Sequence, residues 1–186
     1  MSVLPVYLYG TEVLRKKAKP VTKIDNDTIK LIIDMFETMH KAEGIGLAAN
    51  QVGSLERVIV IDVSDMEGYE EVKPLTLINP EVVERVGTCP MEEGCLSIPE
   101  VRDEVERDEQ ITVKYRDTNF HVQKLEAGGI FARVILHEID HLDGVLFIDR
   151  IAKTKLKLHK DRLKVIRQGE AETSYPVVAA ASAVDS

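Results

Sequence analysis

Apolar residues recur along this chain at two periods, and each change of period marks an element. Between Asp27 and Glu43 they fall at Ile29, Ile32, Phe36 and Met39, which is helical spacing, with Asp25 or Asp27 available as N-cap and Gly44 as the stop. A glycine-bearing loop, Gly44 to Gly53, follows. The helical period then disappears: Arg57 to Val63, Leu75 to Asn79 and Ile111 to Tyr115 are rich in β-branched residues, are bounded by turn signals and predict strands. Phe120 to Leu125 predicts another, and Val6-Tyr7-Leu8-Tyr9 an extended start. The acidic stretch from Ser64 to Glu71 predicts a solvated loop.

The spacing predicts a second helix over Gly129 to Leu142. At 100° per residue, Ile130, Val134, His137 and His141 fall within about 60° of one another, while Phe131, Ile135, Ile139 and Leu142 cover a neighbouring face. Only Arg133, Asp140 and Asp143 give it a polar edge, so this helix belongs in the interior. A third helix is expected over Lys153 to Gln168, and the small and polar residues from Glu170 to Ser186 predict a flexible tail. Strands segregated from a few helices, without regular βαβ alternation, predict the α+β class in a single domain.

Composition adds limits. A length of 186 residues, 44% of them hydrophobic, suffices for one well-buried core and is short for two. The start, Met1-Ser2-Val3-Leu4-Pro5-Val6, has no basic n-region or apolar h-region, and no later run is apolar for long enough to cross a bilayer. A soluble, cytoplasmic protein without a membrane partner is expected. Two cysteines, Cys89 and Cys95, are too few for a disulfide framework, which leaves a thiol free to act as a ligand. The net charge of −8 argues against a general nucleic-acid binder, DNA included. Charge is unevenly spread, however: Lys153, Lys155, Lys157, Lys160, Arg162, Lys164 and Arg167 face only Asp161, so that segment carries +6 and the remainder −14.

The chemistry is concentrated in His137-Glu138-Ile139-Asp140-His141. Imidazoles at i and i+4 of a helix share a face and reach one cation, while the carboxylate after the first serves a bound water as general base. A catalytic metal usually takes three protein ligands and keeps one position open. Some hydrolases extend the motif to a third histidine, but Phe147 stands where that residue would be. Asp149, Glu170 and Glu172 are carboxylate options; Cys95, in Glu93-Gly94-Cys95-Leu96-Ser97, is better placed by its soft thiolate and its glycine neighbour.

Three segments taken together, Gly-Ile-Gly-Leu-Ala-Ala-x-Gln from Gly44 to Gln51, Glu-Gly-Cys-Leu-Ser from Glu93 to Ser97 and His-Glu-Ile-Asp-His-Leu from His137 to Leu142, resemble those of bacterial peptide deformylases, in the same order. The resemblance spans Val3 to about Gln168. It implies mixed and antiparallel strands wrapped around a central buried helix bearing the histidines, with residues 1–169 as the catalytic domain, 152–168 as a basic C-terminal helix and 170–186 as a tail.

The implied reaction is hydrolytic removal of the formyl group from the N-terminal formylmethionine of newly made polypeptides, releasing formate. Cys95, His137 and His141 would hold one divalent metal, natively Fe(II), with zinc, nickel or cobalt acceptable. Glu138 would be the base, and the Gln51 amide and Leu96 N–H the donors to the developing oxyanion. Gly44, Ile45, Gly46, Met91, Gly94, Ile130 and Val134 would line the substrate site, and Arg102 would help hold the downstream peptide. The basic C-terminal helix suits ribosomal RNA phosphate as well as it suits plain solvation. Two positions depart from the family pattern, Asn50 and Leu136, and put loop rigidity and a helix contact in doubt. The rivals are a zinc endopeptidase with a different third ligand and a binding module built on a structural metal site.

Overall fold

A computed structural model describes residues 2–180. Its nine strands among those residues form a five-stranded antiparallel sheet, a two-stranded antiparallel hairpin and a two-stranded parallel pair. The elements in chain order are β1 (Val6–Tyr7), α1 (Asn26–Lys41), β2 (Gly46–Ala48), β3 (Val58–Ile61), β4 (Leu75–Val86), β5 (Cys89–Cys95), β6 (Ile98–Arg107), β7 (Gln110–Arg116), β8 (Val122–Gly128), α2 (Gly129–Leu142), α3 (Lys153–Leu158), α4 (Lys160–Arg167) and β9 (Val177–Val178). The large sheet runs β2-β3-β4-β7-β8, β5 pairs with β6, and β1 pairs with β9. This mixed α+β domain with antiparallel sheets matches the expected class.

Strand β3 explains the layering. All four of its residues are buried, because alternate side chains enter different cores. Ile59 and Ile61 pack with Ile135 and Leu142 of α2, while Val58 and Val60 pack with Ile32, Met35 and Met39 of α1. A run of four apolar residues thus reflects a strand covered on both faces.

Helix α1 begins where its cap requires: Asp25 accepts from the Thr28 N–H at 3.1 Å. Its buried face centres on Ile32, Met35 and Met39, with Ile29 and Phe36 at the margin. Helix α2 occupies the expected residues, and twelve of its fourteen are buried. The Tyr69 hydroxyl accepts from the Ile130 N–H at 3.1 Å, satisfying one of the donors that a helix start leaves open. The acidic loop expected to be merely solvated therefore exposes Asp65, Glu67, Glu70 and Glu71 but turns Met66 and Tyr69 inward.

Three further expectations are corrected. Strands β5 and β6 were not anticipated, because Pro90, Pro99, Gly94 and a dense set of charges hide their alternation. The single C-terminal helix is two, α3 and α4, meeting at His159. Asp103 of β6 holds both Lys155 (3.0 Å) and His159 (2.9 Å), which fixes the chain at the break. Residues 170–180 are docked: β9 pairs with β1, and Ala179 is buried among Leu8, Ile98 and Ile166. The remainder of the expected tail, 181–186, lies outside the described residues.

Candidate active site

The three segments singled out in the sequence meet at one cavity of about 500 Å³. Helix α2 brings His137 and His141 from one side, and β5 ends on Cys95 opposite them. The Cys95 Sγ lies 3.2 Å from His141 Nε2, which lies 3.2 Å from His137 Nε2. These three donor atoms all fall within 4.8 Å of one another. No other group of three or more His, Cys, Asp or Glu donors among the described residues comes together in this way.

The cluster is oriented by a buried ionic network. Glu93, two residues before Cys95, faces His137 Nδ1 at 2.9 Å. A carboxylate only accepts, so Nδ1 carries a proton and Nε2 is the ring atom turned toward Cys95 and His141. Glu93 also accepts from Arg107 (2.5 and 2.9 Å) and Arg133 (2.9 Å). Arg107 reaches Asp140 at 2.6 Å, and Asp140 in turn holds Arg150 at 2.5 and 2.6 Å. Burial alone would raise the Glu93 carboxyl; the hydrogen bonds from His137 and Arg107 override it and hold it well below the usual carboxylate range. Burial and the facing His137 push His141 well below its ordinary value, which keeps its ring neutral. Burial also opposes charge on His137, but the Cys95 thiol and Glu93 raise it. A cation among these donors takes the place of that proton, so the donor set fits a divalent metal.

Beside the cluster, burial pushes the Glu138 carboxyl up to about 7. Its Oε2 is buried without a hydrogen-bond partner. Gly46 of β2 packs directly on it: a Cβ there would sit 2.7 Å from both Glu138 Oε1 and Val134 Cγ1. Gln51 has a fixed orientation, because its Oε1 accepts from the Ala48 N–H at 2.9 Å. Its NH2 therefore faces the cluster, 3.6 Å from Cys95 Sγ and 3.2 Å from Ser97 Oγ.

Of the other residues singled out, Gly44, Ile45, Gly94, Leu96, Arg102, Ile130 and Val134 all line the cavity. Met91 does not. It lies on β5 two residues before Glu93, paired with Val105 of β6 and outside the cavity lining. Arg102 is exposed at the mouth, 3.8 Å from Glu92. Asp149 is away from the cluster, paired with Arg15 at 2.5 Å. Phe147 stacks on His137 at a centroid distance of 6.2 Å and supplies packing where a ligand was considered. Asn50 donates to the Lys16 carbonyl at 2.8 Å while its Oδ1 is buried without a partner, and Leu136 is buried.

Several cavity residues had not been singled out: Glu93, Arg133, Met66 and Tyr175. The sequence pattern puts Arg133 and Asp140 on a polar edge, yet they are 4% and 8% exposed. Charges on so apolar a helix called for buried partners, and that was the available signal. Tyr175 had none; its hydroxyl donates to the Leu96 carbonyl at 2.8 Å, and burial with the nearby Cys95 pushes it up to about 12.

One α+β domain with a Cys-His-His cluster and a buried, partnerless carboxylate on one cavity has the equipment of a mononuclear metallohydrolase. The polypeptide deformylase family model matches residues 3–157. The peptide deformylase of Salinibacter ruber is 48% identical over 184 residues, covering 95% of this chain and 94% of that protein. That of Chlorobaculum parvum is 46% identical over 175 residues, 94% of each. Among solved structures, the peptide deformylase of Legionella pneumophila superposes with a TM-score of 0.84 at 36% identity, covering 92% of this chain and 99% of that one. The Synechococcus elongatus enzyme in complex with actinonin gives 0.79 at 42% identity, covering 94% and 91%. The chain belongs to the polypeptide deformylase family. Its activity is that family's, metal-dependent hydrolysis of the N-formyl group from newly made polypeptides.

Proposed function

We propose that formyl hydrolysis occurs at the Cys95, His137 and His141 cluster, with Glu138 as the proton carrier. The observation that carries this reading is a buried Glu138 oxygen without a partner beside three converging donors. Cys95, His137 and His141 would hold a divalent cation, whose chemistry there would be Lewis acidity toward the formyl carbonyl and the attacking water. Family membership favours Fe(II) as the native ion, and the mixed thiolate and imidazole set also accepts zinc, nickel or cobalt.

A carboxyl near pH 7 is suited both to take a proton and to return it. Glu138 accepts the proton of the attacking water and delivers it to the departing amine. The Gln51 NH2 and the Leu96 N–H stabilise the charge that develops on the carbonyl oxygen, each worth about 3 kcal/mol. Glu93 acts through His137, fixing the ring nitrogen that faces the ion.

The methionine side chain enters a slot formed by Ile45, Ile130, Val134 and the His137 ring. Strand β2 is the edge of the large sheet, and β5 belongs to the separate hairpin. With Gly44 and Gly46 lining the cavity on one side and Gly94 on the other, the peptide can lie extended between them as an added strand. Arg102, at the mouth, steadies the residues downstream. We read α2 as the central element around which the strands wrap, which its burial supports. No helix among the described residues is long and apolar enough to cross a membrane. Formylated nascent chains as substrate support a cytoplasmic location, and the exposed lysines of α3 and α4 offer a face for the ribosome, testable by salt-dependent co-sedimentation.

The deciding experiment measures formate release from a formyl-Met peptide by anaerobically purified protein of known metal content. Glu138→Gln is expected to keep the metal and lose about 10²- to 10⁴-fold in kcat. A fully loaded wild type that releases no formate refutes the reading.

A further inference from the structure

After α4 the chain returns to the cavity. Val6 N–H donates to the Pro176 carbonyl at 2.9 Å and Leu8 N–H to the Val178 carbonyl at 2.8 Å, so the C-terminal segment is strapped to the N-terminal strand. The strap sets the Tyr175 ring in the cavity wall and its hydroxyl on the Leu96 carbonyl. Tyr175 lies beyond the residues matched by the family model, 3–157.

Leu96 is a sensitive place to hold. With Ser97 it forms the two-residue turn between β5 and β6, closed by the Cys95 and Ile98 pair. Two-residue hairpins favour turns with left-handed φ, which match the twist of their strands. Neither Leu96 nor Ser97 has a positive φ, and the register shifts between Gly94 and Cys95. The turn is instead gripped from outside. Tyr175 holds the Leu96 carbonyl (2.8 Å), the Tyr9 N–H holds the Ser97 carbonyl (2.8 Å), and Gln51 Nε2 holds the Ser97 hydroxyl (3.2 Å). Two of these three grips come from the ends that β1 and β9 tie together.

We propose that Tyr175 is a positioning residue for catalysis: by fixing the Leu96 carbonyl, its hydroxyl aims the Leu96 N–H at the oxygen of the scissile formyl group. The inference rests on the donor role given to Leu96 above. Carbonyl and N–H flank the same Cα, so once the carbonyl is held, and Cys95 is held by the cluster, little rotation remains for the N–H. A donor aimed at charge that appears only in the transition state acts on kcat and hardly on ground-state binding.

The test uses the full chain with its metal quantified. Tyr175→Phe keeps the ring, and with it the cavity wall, and removes only the hydroxyl. Expected are a kcat lower by about tenfold, KM within about twofold, and unchanged metal content. In the metal-free protein the Leu96 amide resonance should shift and its exchange with solvent quicken. A Tyr175→Phe enzyme with wild-type kcat, or one altered in KM alone, overturns the inference and leaves Tyr175 as wall. Leu96→Pro, which lacks the N–H, separates the two layers. If it is impaired while Tyr175→Phe is not, only the positioning role falls; if it keeps wild-type kcat, the donor role falls and takes this inference with it.

Discussion

Gly46→Ala tests how closely the sheet is packed against the proposed base. Gly46 has no left-handed φ to lose, so the effect of a methyl group there is steric. That methyl would lie 2.7 Å from Glu138 Oε1, 2.7 Å from Val134 Cγ1 and 3.0 Å from Glu138 Cγ. Ordinary contacts are longer than the two nearest approaches by about 0.7 to 1.3 Å, and α2 is too tightly packed to retreat as a unit. Glu138 must therefore swing while Val134 and β2 share the rest. Overpacking of this kind costs about 1–3 kcal/mol, which lowers Tm by roughly 2–12 °C in a domain of this size. A misplacement of about half an ångström at a proton-transferring group predicts a kcat/KM lower by roughly ten- to a hundredfold. Cys95 and both histidines are untouched, so metal content should stay at the wild-type level. The assays are formate release, thermal unfolding and metal analysis on the same preparation. Wild-type kcat/KM would refute the argument, and so would an activity loss fully explained by missing metal.

Cys95→Ala should abolish stable metal retention and formate release, read by metal analysis after dialysis against a chelator; retained metal with cleavage of internal peptide bonds would favour the endopeptidase rival. Glu93 sets an acid limit. Its folded carboxyl is held below its ordinary value, so the stability it contributes is complete above about pH 4.5 and drains away as pH falls below it. Thermal unfolding between pH 7 and 3.5 should fall more steeply for wild type than for Glu93→Gln. At pH 7 that variant should already be weaker by about 3–5 kcal/mol, because Arg107 and Arg133 are left buried against a neutral amide. Parallel pH profiles for the two proteins would contradict this account.

How much was legible in advance depended on how local the signal was. The interval of four residues between His137 and His141 has one meaning in a helix, and the apolar pattern from Gly129 to Leu142 gave that helix its limits. Strand β3 announced itself as an unbroken apolar run, and Asp25 capped α1 as its side chain allowed. Strands β5 and β6 stayed hidden, because their inward residues include Glu93 and Arg107, which are polar and buried as a pair. Alternation is read from hydrophobicity, and a charge neutralised by a distant partner imitates an exposed one.

Sequence by itself therefore determined the scaffold and where the reactive groups stand: two imidazoles on one helix face, a carboxylate beside the first and a cysteine after a glycine, in one α+β domain. Tertiary structure alone decided what aims those groups. Glu93 meets His137 across 44 residues, Arg107 meets Asp140 across 33, and Tyr175 reaches Leu96 across 79. Such contacts leave no period in the chain, because each is made between single residues whose meeting depends on how whole layers pack. A helix or strand is written in every turn or pleat; a lone hydroxyl at the end of a strap is written nowhere until the chain has folded.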